Sequence, residues 1–210
     1  MLKPMRKIFF IPFFLISANF FAQSPMNSQE AAALKTLVKT RAATTKTITS
    51  DFTQSKHLDF LDNDVVTKGQ LAFKSPNLIK WSYVDPFKYS VIFKNETLYI
   101  NDEGNKSNID IGSNQMFKQL NKLIINSIKG DMFDDETFSI EYFKNDHSSL
   151  VQFASKDKKL SKYISAFHIT FNSNGDVEQV KMIEPSGDYT KIVFSNRVLN
   201  NSINEAVFSN

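Results

Sequence analysis

The sequence predicts a mainly β protein in which one long antiparallel sheet is accompanied by two amphipathic helices. Runs of alternating apolar and polar residues recur about every ten residues along most of the chain. Short segments rich in Asn, Asp, Gly and Pro, typical of hairpin loops, separate these runs. Two other stretches repeat their apolar residues at helical steps instead. About ten strands are enough to curl into a barrel, so we expect the helices to lie across its mouth or its concave face.

Residues 1–22 are predicted to be a cleaved signal peptide. Lys3, Arg6 and Lys7 precede an apolar run of about 14 residues, and Ala22 offers a small residue for cleavage. The run is shorter than the roughly 20 residues that span a bilayer. Because the chain has no cysteine, a lipid-modified cysteine at the cleavage site is excluded. We therefore expect an exported protein of the bacterial periplasm.

The remaining chain is electrically neutral, since 22 Lys and Arg are left against 22 Asp and Glu once the leader is removed. It has no basic block that could follow a phosphate backbone or an anionic membrane, so we expect no nucleic-acid partner and no polybasic membrane-binding surface. Residues 23–210 are numerous enough to form a single domain without disulfides, and we expect a monomer.

The first helix is predicted to begin at Asn27, because Glu30 follows three residues later in an arrangement like a capping box. Leu34, Leu37, Val38 and Arg41 then follow at helical spacing. The second helix is predicted within 114–133, where apolar residues again recur at helical steps and Gly130 supplies a stop.

The strands are predicted from period-two alternation and lie on both sides of the second helix. They cover 47–54, 65–74, 78–84, 88–94, 97–101, 138–144, 149–155, 164–171, 177–184 and 189–195. The inward side chains of such a curled sheet would be almost entirely aliphatic and aromatic. This composition favours an interior suited to an apolar ligand, although for any single residue ordinary core packing is the favoured interpretation and only the whole set indicates a ligand.

Catalytic machinery is not indicated. There is no cysteine nucleophile and no G-x-S-x-G elbow, and His57, His147 and His168 are far apart without ligand spacing. The acidic clusters at 59–64 and 130–136 do not match a calcium loop and are interpreted as turn caps. No nucleotide motif is present. We expect neither enzyme activity nor a cofactor or metal, while a carboxylate pair facing across the sheet stays open as an alternative.

Several ordered motifs resemble the periplasmic lipoprotein carrier family, LolA. The matching segments are DFTQ at 51–54, GQLAFKSPNLIKWSYVDP at 69–86, ETLY at 96–99 and the closing strands at 164–196. The resemblance implies an unclosed antiparallel barrel with a helical lid, which carries lipoproteins by their acyl chains from the inner to the outer membrane. It also implies an inner-membrane release complex and an outer-membrane receptor as partners. Related folds serve other envelope lipids or act as sensors of regulatory proteins, so both alternatives remain.

The resemblance assigns candidate roles to individual side chains. The cavity lining would comprise Phe52, Leu71, Phe73, Trp81 and Tyr83, with Ile79 at a rim available to partners. The lid would comprise Leu34, Leu37, Val38, Phe117, Leu120 and Ile124. Whether the two apolar runs on either side of Pro76 share a face of the sheet is left open.

The chain departs from the family at Ser75, where the family has an arginine implicated in holding the lid. Serine is shorter than arginine and presents no charged fork. Either Lys74 substitutes for the arginine in part, or the ligand differs from a triacylated lipoprotein.

Overall fold

A computed structural model describes residues 23–94, 96–110, 126, 130–133 and 136–209. Twelve strands form one antiparallel sheet in the order β1-β8-β9-β10-β11-β12-β2-β3-β4-β5-β6-β7. The strands are β1 (Ser24–Pro25), β2 (Thr47–His57), β3 (Val65–Lys74), β4 (Leu78–Asp85), β5 (Tyr89–Lys94), β6 (Thr97–Asp102), β7 (Asn105–Asp110), β8 (Phe138–Lys144), β9 (Ser148–Ser155), β10 (Ala166–Asn172), β11 (Val177–Ile183) and β12 (Tyr189–Leu199). Helix α1 spans Ser28–Thr44, and short 3-10 helices cover Leu160–Lys162 and Glu205–Phe208.

The sheet is not closed, because the two outermost strands of the described order, β1 and β7, do not pair with each other. This confirms the predicted fold class of an open, mainly β structure. Each of the ten predicted strands is present. The polar segment Asn105–Asp110 was missed because it has no apolar alternation, and it forms an exposed edge strand, where polar side chains are common.

Helix α1 begins as predicted. The Asn27 side chain accepts a hydrogen bond from the Glu30 backbone N–H at 2.9 Å, and the Glu30 carboxylate accepts one from the Asn27 N–H at 3.0 Å. This capping box satisfies two of the backbone donors that the first helical turn leaves free. Glu30 also pairs with Lys144 of β8, which ties the start of the helix to the sheet.

The predicted second helix lies almost entirely outside the described residues. Its expected stop is visible, since Gly130 has a φ of 73°. The Asp131 N–H donates to the Asn126 carbonyl at 3.0 Å, which is the spacing of a helix C-terminal motif. The chain therefore turns at Gly130 in the way that ends a helix.

Two apolar clusters hold the sheet together. One lies where α1 covers β8–β11 and includes the 3-10 helix at Leu160, and its buried members are Leu34, Val38, Met132, Phe138, Val151, Phe153, Leu160, Phe167, Ile169 and Phe171. The other lies on β2–β4 and β12, and its buried members are Phe52, Leu71, Phe73, Ile79 and Ile192.

The register of β3 and β4 answers the question left open by the sequence. Leu71 lies opposite Trp81 and Phe73 lies opposite Ile79, so the two apolar runs share one face of the sheet. Gly69 lies opposite both Tyr83 and Phe52, where the Phe52 ring occupies the space of a missing side chain. The part of the second cluster on β2, β3 and β4 is thus a continuous layer.

Within the part of the chain that the structure describes, no helix has the length and apolar character needed to cross a membrane.

Candidate functional site

An apolar cavity of about 460 Å³ lies between α1 and the curved face of the sheet, beside both clusters. On the β3–β6 side it is lined by Leu71, Trp81, Val91, Phe93 and Leu98. On the β8–β12 side it is lined by Phe138, Phe153, Phe167, Ile169, Val180, Met182, Ile192 and Phe194. Because strands from both halves of the sheet supply these side chains, the curvature of the sheet creates the cavity.

Aromatic rings form one wall of the cavity. Trp81 packs edge-on against Phe52 with ring centroids 4.9 Å apart, and Tyr83 packs edge-on against the same ring at 5.2 Å. Phe194 on β12 lies 6.0 Å from Trp81. Edge-to-face contacts at these distances are attractive, so each ring restricts the orientation of its neighbours. The wall offers a preformed apolar surface.

The predicted lining residues divide into two layers. Leu71, Trp81 and Tyr83 line the cavity, whereas Phe52 and Phe73 are almost completely buried behind it. Ile79 was expected at the rim, but its side chain is fully buried, because Phe73 and Phe93 lie opposite it on the neighbouring strands. A direct partner contact by Ile79 is therefore ruled out in this conformation. The ligand contacts of the others remain predictions.

The predicted lid residues of α1 do not all face the sheet. Val38 lines the cavity and Leu34 is buried in the first cluster, whereas Leu37 lies near Gly175 and is 40% exposed. The other predicted lid residues, Phe117, Leu120 and Ile124, lie outside the described residues. Of the predicted lid, the structure therefore describes only the residues on α1.

Ser75 is exposed in the connection between β3 and β4, and its backbone N–H donates to the Lys46 carbonyl at 2.8 Å. Lys74 forms an ion pair with Glu205, and this contact lowers the pKa of the Glu205 carboxyl. Lys80 donates to the Val207 carbonyl at 2.9 Å. Both lysines thus attach the C-terminal 3-10 helix to the sheet.

A charged cluster on the cavity lining was not predicted from the sequence. It consists of Arg41 on α1, Asp176 in the β10–β11 turn and Arg197 on β12. Arg41 donates two hydrogen bonds to the Asp176 carboxylate, from Nε at 2.8 Å and from a terminal nitrogen at 2.9 Å. This two-pronged geometry anchors the C-terminal half of α1 to the far half of the sheet, and it raises the pKa of Arg41.

Arg197 is less exposed than Arg41, and its surroundings are more apolar. One terminal nitrogen lies 3.8 Å from Asp176, another donates to the Val177 carbonyl, and the guanidinium lies 5.6 Å from the Phe194 ring centre. Burial lowers the pKa of Arg197, although the Asp176 charge opposes that shift. One feature of the sequence indicated part of this cluster: the charged Arg41 follows Leu34 and Val38 at helical spacing, so it lies on the same side of α1 as buried residues.

A second polar position lies on the same lining. The Tyr83 hydroxyl donates to the Gln54 side-chain carbonyl at 3.1 Å. Burial raises the pKa of Tyr83 and nearby Tyr89 raises it further, so the phenol stays neutral. A neutral, internally bonded phenol adds little charge to this end of the cavity.

Comparison with known proteins places this geometry in a family. The family model described as "Outer membrane lipoprotein carrier protein LolA" matches residues 43–210. Among curated protein sequences, nothing matches significantly.

Solved structures share the fold at low sequence identity. MucB has a TM-score of 0.51 at 9% identity, with 88% of this chain covered and 64% of that one. The lipoprotein LppX from Mycobacterium tuberculosis has a TM-score of 0.48 at 9% identity, with 85% and 99% covered. A LolA superfamily protein from Nitrosomonas europaea has a TM-score of 0.46 at 8% identity, with 86% and 97% covered.

Proposed function

The chain belongs to the outer membrane lipoprotein carrier (LolA) family, and from that premise we propose that it carries acyl chains of a lipoprotein or a related envelope lipid. The observation that supports this function is the apolar cavity between α1 and the sheet. Lipid tails exposed to water are unfavourable by about 0.8 kcal/mol per methylene, so transport through an aqueous compartment requires a shelter of this kind.

The volume of the cavity gives a scale for the load. If a methylene group occupies about the 30 Å³ of a water molecule in the liquid, a cavity of about 460 Å³ among the described residues holds roughly 15 such groups. That number corresponds to one long acyl chain, whose transfer from water contributes about 12 kcal/mol. We therefore propose that the cavity formed by the described residues shelters one acyl chain.

Release requires that the shelter open. We assign this movement to α1, which the ion pairs Lys144–Glu30 near its start and Arg41–Asp176 near its end connect to the rest of the domain. Ion pairs that are partly exposed are weak, so the main cost of displacing α1 is the exposure of Leu34 and Val38, which an apolar receptor surface would offset. A receptor with a more apolar site would then accept the cargo.

The same proposal covers location and partners. We propose that residues 1–22 direct export to the periplasm and that 23–210 act there as a single-domain, monomeric carrier without enzyme activity. Its partners would be a release complex at the inner membrane and a receptor at the outer membrane. The family assignment supports these roles.

Trp81 provides the test, since it is the only tryptophan of the chain and it lines the cavity. Titration of the purified protein with a long-chain lipopeptide is expected to shift the Trp81 emission and to saturate at one ligand per protein. Val180→Phe, which fills the cavity from β11, is expected to weaken binding. Val193→Phe is the matched control, because Val193 lies on the exposed face of the adjacent β12.

The alternative is a sensor of the same fold that binds a regulatory protein. Failure of Val180→Phe to weaken binding, or no saturable shift at all, counts against the carrier. Recovery of one stoichiometric regulator from envelope extract, with no lipid on the protein, would support the sensor.

A further inference from the structure

We infer that the charged cluster on the cavity lining is a binding site for the anionic headgroup of a single-chain lipid. The inference rests on the proposed lipid-carrying function and specifies the ligand of that same cavity. The cluster joins three side chains from three elements, Arg41, Asp176 and Arg197, all of which line the cavity.

The charges of the cluster do not balance. Two guanidinium groups share one carboxylate, and Arg41 takes both oxygens of Asp176 at 2.8 and 2.9 Å. One terminal nitrogen of Arg197 lies 3.8 Å from an oxygen of the same carboxylate, and the charge of Arg41 repels that of Arg197. The exposed Glu178 also attracts Arg197, but solvent screens that attraction. The cluster therefore carries an excess positive charge beside an apolar space.

Arg197 also has an unused donor. Its Nε is buried and has no hydrogen-bond partner among the described residues, while only 19% of the side chain is exposed. A buried donor without a partner is unfavourable, and a buried cation without full compensation is more so. A ligand that brings an anionic oxygen to the part of the guanidinium that reaches the cavity would compensate the charge. Guanidinium groups suit carboxylates and phosphates in particular, because their donors form a planar fork.

The apolar part of such a ligand has a continuous surface to follow. The Phe194 ring lies 5.6 Å from the Arg197 guanidinium, and the Trp81 ring lies 6.0 Å beyond it. Trp81 and Tyr83 both line the cavity and pack on the buried Phe52 ring behind them. A single acyl chain lying along the Phe194, Trp81 and Tyr83 rings would place its headgroup at Arg197 and its tail toward β4. One chain of this kind also matches the volume of the cavity.

The experiment uses the full mature chain and compares two probes with the same acyl chain, cis-parinaric acid, whose headgroup is anionic, and its methyl ester, whose headgroup is neutral. The protein is expected to bind the acid about tenfold more tightly than the ester, as a hydrogen bond to a charged group would provide. Arg197→Gln should bring the ratio of acid to ester affinity close to one. Asp176→Asn should raise that ratio, because it removes the competing carboxylate. Lys191→Gln, on the outer side of β12, is the charge-matched control and should leave the ratio unchanged.

Equal affinity for acid and ester in the unmodified protein would overturn the inference, as would an acid preference that survives Arg197→Gln. If Arg197→Gln does not fold, the unmodified protein and Asp176→Asn decide the question. Displacement of the acid by inorganic phosphate alone would show that the arginines bind a free anion and would also overturn it. Binding of neither probe would count against the proposed function itself, a result distinct from equal binding of both.

Discussion

Replacing Gly69 by alanine is expected to destabilise the protein strongly, because the aromatic wall occupies the space of the added carbon. A β-carbon built at Gly69 would lie 2.2 Å from the Ser82 carbonyl oxygen and 2.4 Å from the Phe52 ring. The Ser82 oxygen belongs to the paired backbone of β4 and is not free to move. The Phe52 ring is only 2% exposed and packs against Trp81 and Tyr83.

The magnitude follows from these two contacts. Excess volume in a packed core usually costs about 1–3 kcal/mol, and a contact with fixed backbone places Gly69→Ala at the upper end, about 3 kcal/mol. For a domain of this size each kcal/mol lowers the melting temperature by about 2–4 °C, so we expect a decrease of roughly 6–12 °C.

Urea and thermal unfolding followed by circular dichroism measure this change. Gln70→Ala is the control, since Gln70 is the next residue, is exposed, and should change stability by less than about 0.5 kcal/mol. In a Phe52→Leu background, Gly69→Ala should lower the free energy of unfolding by less than it does in the unmodified protein, because the contact with the Phe52 ring is relieved. The decrease should not disappear, because the contact with the Ser82 carbonyl oxygen remains. A loss below about 1 kcal/mol for Gly69→Ala would show that the ring layer is not packed as described.

Three further predictions concern the attachment of α1 and the lid. Asp176→Ala removes the carboxylate that accepts both hydrogen bonds from Arg41, and it should lower the free energy of unfolding by about 1–3 kcal/mol. The substitution should speed amide exchange more in α1 than in β2, and unchanged exchange in α1 would contradict this prediction. The pKa of Glu30 lies below its ordinary 4.5, because Lys144 and the Asn27 backbone donate hydrogen bonds to the carboxylate. The contribution of Glu30 to stability is therefore fully present above pH 4.5 and is lost as the pH falls through the folded-state pKa. Melting temperatures should fall more steeply with acidification for the unmodified protein than for Glu30→Gln, and parallel curves would be inconsistent with this. Ser75→Arg restores the family residue and should slow ligand dissociation in stopped-flow measurements, whereas an unchanged off-rate would assign the holding of the lid to other contacts such as Arg41–Asp176.

The positions of the strands could be predicted because each has a period-two pattern bounded by turn residues. The edge strand Asn105–Asp110 could not, since its exposed side chains require no apolar alternation. The capping box of α1 is local in sequence and was predicted in full, down to Asn27 and Glu30. Features that depend only on residues near one another in the chain could therefore be predicted from the sequence.

The site was only partly accessible, because its geometry depends on contacts between distant residues. Arg41 and Asp176 are 135 positions apart, and no local pattern relates them. Ile79 alternates with Trp81 in the way a rim residue would, yet the pairing of β4 with β3 and β5 buries it. Leu71 and Trp81 were both expected on the cavity lining, but the sequence left open whether their runs share a face, and only the β3–β4 register shows that they lie side by side.

The proposed function requires that the cavity between α1 and the sheet bind an acyl chain. Mass spectrometry of small molecules extracted from the protein, purified without detergent from its native envelope, measures this binding. We expect an acylated lipid or lipoprotein at close to one acyl chain per protein, and loss of that lipid from Val180→Phe. Protein recovered without any acylated molecule, or with equal amounts bound to Val180→Phe, would contradict it.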